Sequence, residues 1–240
     1  MVNASPAARS VRIVPLRQCT SRRTIERRFV RLLRGIITPV SDVVDHDGLY
    51  RVAGAQAGYF TARQALAAGM DRSTLRHHAR PGGRYERVHR GLYRLRHFPT
   101  SSHEHVVAAW IPLREAGAVV SHESALELHD LSDVIPVAVH LSLPRAKRGQ
   151  RPRPGVRLHT LERPPGASEV RTVRGVPTTS PERSIVDALD AGTQPEQVEL
   201  AIDQALARGL TTHRRLRAAA AERPDRVRRF IERTLTGATT

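Results

Sequence analysis

The chain has 240 residues, 40% of them hydrophobic, which is enough for one large or two ordinary domains with a real core. Its 39 basic and 23 acidic residues give a formal net charge of +16, which suits a polyanionic partner such as nucleic acid or an anionic membrane. A single cysteine, Cys19, excludes an internal disulfide. With neither a signal-peptide core nor a long apolar run, we expect a cytoplasmic protein without a membrane span.

The charge is concentrated in one stretch of the chain. Arginine is frequent everywhere and Lys147 is the only lysine, as in proteins encoded by GC-rich genes, so composition alone is weak evidence. Residues 48–98, however, contain ten arginines and only two acids, a net charge of +8. Codon bias gives no reason for acids to be depleted there. The distribution therefore favours a local nucleic-acid surface.

Residues 1–47 form a basic extension that several interpretations fit. Apolar residues recur at helical spacing from Ile25 to Ile36, with arginines between them, as in a helix that lies on a membrane or adds to a DNA surface. The segment also resembles a transit peptide in being rich in arginine and poor in acids. A disordered extension, or translation that truly starts near Leu49, fits as well.

Two short helices are predicted after Tyr59. Thr61 is a suitable N-cap for a helix over residues 62–68, and Gly69 is a suitable stop. Asp71 can cap a second helix that ends at Pro81. Two short helices joined by a glycine-containing turn are typical of a helix-turn-helix.

A hairpin follows the second helix, because residues 84–95 contain strand formers around a turn at Arg90 and Gly91. In this position a hairpin is a wing, and we predict a winged helix-turn-helix DNA-binding domain over residues 48–98. Leu75 and Ala79 define the buried stripe of the second helix, which leaves hydrogen-bonding and guanidinium groups on the opposite face. We predict that DNA is contacted by Arg72, Ser73, Thr74, Arg76, His77, Arg80, Arg87, Arg90 and Arg94.

Acids return beyond residue 99, and we predict a second domain over residues 99–240. Strands are expected over residues 137–143, 156–161 and 169–173, followed by four helices that begin near Thr179. Thr179 and Glu182 have capping-box spacing. The fold class is therefore α+β: a winged helix followed by a small mixed sheet and C-terminal helices.

No motif predicts catalysis, a metal site or a cofactor. The twelve histidines lack the short spacings of zinc sites, and phosphate-binding loops and nucleophile elbows are absent. Asp187 and Asp190 lie three residues apart and suggest a nuclease metal site. The further acidic residues and the lysine of a nuclease site do not accompany this pair, so a solvated helix face is the simpler interpretation. We therefore predict no enzyme activity.

Several segments resemble the AbiEi-type antitoxins of type IV toxin-antitoxin systems. GYFTARQALAAG at residues 58–69 and RVHRGLY at residues 87–93 are similar to the winged helix of that family. Further similarities are SHESALELH at residues 121–129, GVPTTSPER at residues 175–183 and AIDQAL at residues 201–206. The resemblance covers roughly residues 48–235, and the N-terminal extension is not part of the family pattern.

The resemblance implies a repressor that binds the double-stranded operator of its own operon and counters a cognate nucleotidyltransferase toxin through the second domain. Two alternatives stay open. One is a stand-alone winged-helix regulator whose second domain serves dimerisation. The other is a remnant or partner of a restriction-endonuclease-like nuclease, since some similar proteins continue into such a domain.

Overall fold

The computed structural model describes residues 44–151 and 153–237. The predictions for the arginine-rich segment up to residue 43 lie outside these residues. The described residues form helices, one antiparallel sheet and one mixed sheet, so the fold class is α+β, as predicted. None of its helices, within those ranges, combines the length and apolar character that crossing a bilayer requires.

The winged helix-turn-helix predicted from the sequence is confirmed. Gly69, with a φ of +86°, makes the turn between the two helices, and a three-stranded sheet with the order β1-β3-β2 carries the wing. Both strand pairs in this sheet are antiparallel. The elements are α1 (His46–Gly54), β1 (Tyr59–Thr61), α2 (Ala62–Ala67), α3 (Arg72–His78), β2 (Tyr85–His89) and β3 (Leu92–Leu95).

The starts of α2 and α3 are fixed by the predicted caps. Thr61 Oγ1 accepts a hydrogen bond from the Gln64 N–H at 3.2 Å, and Gln64 Oε1 accepts one from the Thr61 N–H at 2.7 Å, which completes a capping box. Asp71 Oδ1 accepts from the Thr74 N–H at 2.6 Å. Both helices are short, so these caps satisfy a large share of their free N–H groups.

A mixed five-stranded sheet follows, with the order β6-β5-β4-β8-β7. The β4–β8 and β5–β6 pairs are parallel, and the other two pairs are antiparallel. The sequence predicts three of these strands and misses β4 and β8, which are only two and four residues long. The elements are α4 (Glu104–Trp110), a 3-10 helix (Ile111–Ala116), β4 (Val119–Val120), α5 (His122–Leu128), β5 (Val139–Pro144), β6 (Val156–Leu161), β7 (Val170–Val173) and β8 (Val176–Thr179).

The winged helix and the five-stranded sheet share a core. Strand β3 places Tyr93 in the core of the winged helix, while its neighbour Leu92 packs with Val106 and Leu141 in the core of the sheet. Residues 43–240 accordingly form one compact unit. The boundary predicted between residues 98 and 99 falls within this unit and stays a prediction.

Four helices complete the fold: α6 (Pro181–Ala191), α7 (Pro195–Ala207), α8 (His213–Ala220) and α9 (Asp225–Gly237). Helix α5 connects their core to that of the sheet, because Leu126 packs against the helices and Leu128 against the sheet. The predicted capping box at the start of α6 is wrong. Ser180 is the N-cap residue, and the Thr179 hydroxyl lies 2.7 Å from Ser184 Oγ instead.

The interpretation of Asp187 as part of a solvated helix face is also wrong. Its side chain is 2% exposed, and its carboxylate lies between the guanidinium groups of Arg183, at 2.9 Å, and Arg223. Asp190 is more exposed and binds Arg226. Because guanidinium groups occupy both carboxylates, this pair offers little to a nuclease metal ion.

Candidate nucleic-acid interface

Helix α3 presents most of the side chains predicted to read DNA. Leu75, 3% exposed, anchors its inner face in the core of the winged helix. The outer side of α3 is solvent-exposed at Arg72, Ser73, Arg76 and His77, and Thr74 is half-buried. The helix ends at His78, earlier than the predicted end at Pro81, so Arg80 is exposed just beyond it. The helix therefore has the buried stripe and the exposed polar face that the sequence predicts.

The N-terminal end of α3 is organised around Asp71. Hydrogen bonds from the Thr74 N–H and from the Ser73 hydroxyl, the latter at 2.9 Å, lower the pKa of this exposed carboxyl. Ser73 is thus oriented by the cap, with its hydroxyl oxygen still able to accept a hydrogen bond. An ionised Asp71 stabilises the helix start without facing the arginines as a free acid.

The wing carries Arg87 and Arg90 on exposed positions. Gly91, with a φ of +82°, forms the turn next to Arg90, and its carbonyl accepts a hydrogen bond from the Ala62 N–H at 2.9 Å. This bond ties the tip of the wing to the start of α2. The wing is therefore held in a defined position beside the helix-turn-helix.

Arg94 does not belong to this surface, although the sequence predicts that it contacts DNA. Its side chain is 9% exposed, and its guanidinium lies 2.9 Å from Glu104 Oε2. It also donates to the carbonyl oxygens of Phe98 at 3.0 Å and Pro99 at 3.3 Å. These contacts place Arg94 in the packing between the winged helix and α4.

Ion pairing distinguishes the interface from the C-terminal helices. Three of the ten arginines in residues 48–98 pair with acids, namely Arg63 with Glu115, Arg94 with Glu104 and Arg96 with Glu86. The other seven have no acidic partner anywhere in residues 44–151 or 153–237, and they are Arg51, Arg72, Arg76, Arg80, Arg84, Arg87 and Arg90.

The C-terminal helices show the opposite pattern. Seven of the ten arginines between residues 179 and 237 form ion pairs with acidic side chains. Arginine is equally abundant in these two regions, but among the described residues the winged helix leaves most of its guanidinium groups without an acidic partner. The segment between them, residues 99–178, resembles the winged helix in this respect, because acids pair with three of its nine arginines, namely Arg145, Arg163 and Arg174. Uncompensated guanidinium groups on an exposed helix and wing suit the phosphates and guanine edges of DNA.

Arg84 is a further candidate that the sequence analysis leaves out. It is exposed at the start of the wing. Burial lowers the pKa of His78, near the end of α3, and the positive charge of Arg84 contributes to that shift. Arg84 therefore lies near α3 and adds to the same positive surface. Its position in the acid-depleted stretch is the only sequence signal that points to it.

Comparisons with known proteins agree with this assignment. Residues 49–96 match the family model described as "Transcriptional regulator, AbiEi antitoxin". A comparison with curated proteins gave no match. The fold is similar to the crystal structure of the RV2827C protein from Mycobacterium tuberculosis, with a TM-score of 0.52 and 15% identity over 79% of this chain and 75% of that chain.

At that level of identity the structural similarity concerns the fold alone. The family match covers the same elements that carry the unpaired arginines, and its description is that of a regulator. Residues 49–96 thus match the model of the AbiEi antitoxin family of transcriptional regulators, as the sequence motifs predict, which supports a DNA-binding role of the antitoxin type.

Proposed function

We propose that the protein is a repressor of its own operon and the antitoxin of a co-encoded nucleotidyltransferase toxin. The observation that carries the DNA-binding part is the concentration of unpaired arginines on α3 and the wing. In this arrangement α3 enters the major groove, where Arg80 and Ser73 can read base edges. Arg90, at the tip of the wing, contacts a phosphate or the minor groove.

Salt dependence gives the first test of DNA binding. If the six exposed arginines from Arg72 to Arg90 each neutralise one phosphate, log K should fall against log salt with a slope of roughly −5 per protomer. Affinity should also be higher for the promoter of the operon than for random duplex of equal length. Equal affinity for both duplexes at physiological salt would contradict the operator claim.

Two substitutions separate positioning from specificity. Arg90→Ala should weaken binding on every sequence and reduce the salt slope by about 1, because it removes a phosphate contact. Arg80→Ala should in addition change the preference among operator variants, at a cost of about 1–3 kcal/mol for a lost base contact. Arg217→Ala is the matched control, because Arg217 is a partly exposed arginine paired with Glu232 in the C-terminal helices. Uniform losses in both test variants would contradict the proposed orientation of α3.

The antitoxin part rests on the family description and on the character of residues 99–240. Their charges are nearly balanced, with 20 bases against 17 acids, and seven of the ten arginines in the C-terminal helices are paired with acids, as on surfaces that bind proteins. Ile135 and Val137 are 89% and 100% exposed, the most of any large apolar side chain among the residues the structure describes. Exposed apolar groups of this size often mark a contact with another protein.

The two roles can be separated in the full-length chain. The double variant R80A/R90A should lose repression of a promoter reporter and still protect cells that express the neighbouring toxin gene. The double variant I135D/V137D should keep repression and lose protection. Truncation is a poorer test, because Leu92 and Tyr59 pack in the same core as the sheet. Failure of the wild-type protein to protect would favour a stand-alone regulator instead.

A further inference from the structure

Three histidines from separate parts of the chain converge on one side of the five-stranded sheet. His122 is the first residue of α5, His140 lies on β5 and His159 lies on β6. One ring nitrogen from each lies within 4.8 Å of the others. His122 and His140 are buried, and His159 is half-buried.

The strand register explains how two of them meet. In the parallel β5–β6 pair, Ser142 is opposite His159 and His140 is opposite Arg157, so these four side chains share one face. Leu141 and its alternate neighbours face the core on the other side. The polar face of these two adjacent strands therefore carries two histidines and a serine together with Arg157.

His122 reaches this face through an unusual backbone conformation. Its φ is +54°, in the left-handed region that a side chain bearing a Cβ rarely adopts. Conformations of this kind persist where the surrounding structure enforces them, often at functional sites. The backbone conformation of His122 places its imidazole over that of His159, with ring centroids 3.6 Å apart and planes inclined by 16°.

The hydrogen bonds leave nitrogen lone pairs available. His122 Nδ1 lies 2.8 Å from Ser121 Oγ, which accepts a hydrogen bond from the Ser142 hydroxyl at 2.8 Å. With a proton on Nδ1, Nε2 of His122 keeps its lone pair. His140 Nδ1 and His159 Nε2 are buried without any hydrogen-bond partner within residues 44–151 and 153–237.

We propose that His122, His140 and His159 form a site for one divalent cation of the zinc class, with the fourth coordination position open. Imidazole nitrogens are ligands that zinc prefers, and three of them with one open position are a recurrent arrangement. Zinc bonds of about 2.0–2.1 Å would place tetrahedral ligand nitrogens about 3.3 Å apart. A nitrogen lone pair lies in the plane of its ring, so the stacked imidazoles of His122 and His159 must rotate apart to bind the same ion.

The electrostatic surroundings permit a cation. Burial, and then the neighbouring histidines, lower the pKa of His122 to about 2. Burial, and then the neighbouring His140 and Arg157, lower the pKa of His159 to about 4. Two arginines act on His122, Arg183 and Arg223, and both share the carboxylate of Asp187. Each also pairs with a second carboxylate, Glu169 for Arg183 and Asp190 for Arg223. The carboxylate of Glu123 lies close enough to His140 to act on it favourably.

The sequence analysis predicts no metal site, and the reason is clear from the positions. The three histidines are 18 and 19 residues apart on the chain, whereas zinc motifs are recognised from ligands only a few residues apart. Only the parallel register of β5 and β6 and the backbone turn at His122 bring them together.

Cobalt substitution tests the proposal on the full-length protein. One equivalent of Co²⁺ should give the intense visible absorption of a tetrahedral site, and Zn²⁺ should displace it at a stoichiometry of one. His159→Gln should weaken binding by more than about 100-fold, since loss of a ligand costs more than loss of a supporting group. His213→Gln, at an exposed histidine of α8, is the control and should bind as the wild type does.

A second variant distinguishes the loss of a metal ligand from the loss of the fold. His159→Cys keeps a ligand at the same place, so it should bind Co²⁺ and add a thiolate-to-cobalt charge-transfer band that the wild type lacks. Far-ultraviolet circular dichroism verifies the fold of each variant. A wild-type protein without a stoichiometric tetrahedral band would overturn the proposal. So would a band that survives unchanged in His159→Gln, or one that shows no thiolate signal in His159→Cys.

Discussion

Arg94 gives the sharpest test of the distinction between arginines that bind DNA and arginines that hold the fold. Arg94→Met keeps most of the side-chain volume but removes the ion pair with Glu104 and two hydrogen bonds to carbonyl oxygens. Loss of one partner from a buried ion pair costs about 3–5 kcal/mol. Two features place the expected loss below that range.

Glu104 retains 25% exposure, so water partly solvates its carboxylate once the arginine is gone. Arg94 Nε is buried without a hydrogen-bond partner among the residues described, which makes the native arrangement less favourable than a fully satisfied one. We therefore expect Arg94→Met to lower the free energy of unfolding by about 2–3 kcal/mol, since both effects reduce the penalty. For a unit of this size the melting temperature should fall by about 4–12 °C.

The assay combines urea unfolding with DNA titration at a temperature where every variant is folded. Arg94→Met should lose stability and keep its affinity for DNA and its salt slope. Arg90→Met, at an exposed position, should do the reverse, with a change in stability below about 0.5 kcal/mol. A double variant R94M/E104Q should recover part of the loss. The reasoning is refuted if Arg94→Met leaves the unfolding midpoint unchanged, or if it lowers DNA affinity in fully folded protein.

Three further outcomes are expected. Thr61→Ala removes the capping box and should cost about 1 kcal/mol in urea unfolding, whereas Thr61→Ser should retain most of it. Burial raises the pKa of Glu169, but hydrogen bonds from a backbone amide and from Arg183 lower it overall below 4.5. Its stabilisation is complete above that pH and is lost as the pH falls through the lowered pKa, so Glu169→Gln should flatten the stability profile between about pH 5 and pH 3. Gly58→Ala places a Cβ 2.6 Å from the Phe98 ring at a φ of +85°, and a loss above about 1 kcal/mol in thermal unfolding is expected.

The winged helix could be predicted because its signals are local. Thr61, Gly69, Asp71 and Gly91 each act within three or four residues, as caps and turns. Strand β4, with two residues, is too short to establish an alternating pattern, and β8 contains Pro177, which disfavours a strand. Their existence depends on neighbours that are distant in sequence.

The assignment of side chains within the site was harder than that of the elements. An arginine on a wing strand was expected on the surface, yet β3 is covered on both faces and buries Arg94. Its partner Glu104 belongs to the next helix, and nothing in the pattern of either segment reveals the pairing. Composition likewise gave the net charge of the stretch but not which guanidinium groups are already neutralised by acids.

The cores that meet at β3 and α5 have a consequence for cooperativity. Leu92 and Leu128 connect the packing of the wing to that of the sheet, and Leu126 extends it to the C-terminal helices. Residues 44–237 should therefore unfold together, in a single calorimetric transition. A duplex bound at α3, at 100 times its dissociation constant, would add about 2.7 kcal/mol to the opening of the whole unit. Amide hydrogens in α9, at the opposite end of this series of cores, should then exchange more slowly in the DNA complex than in the free protein.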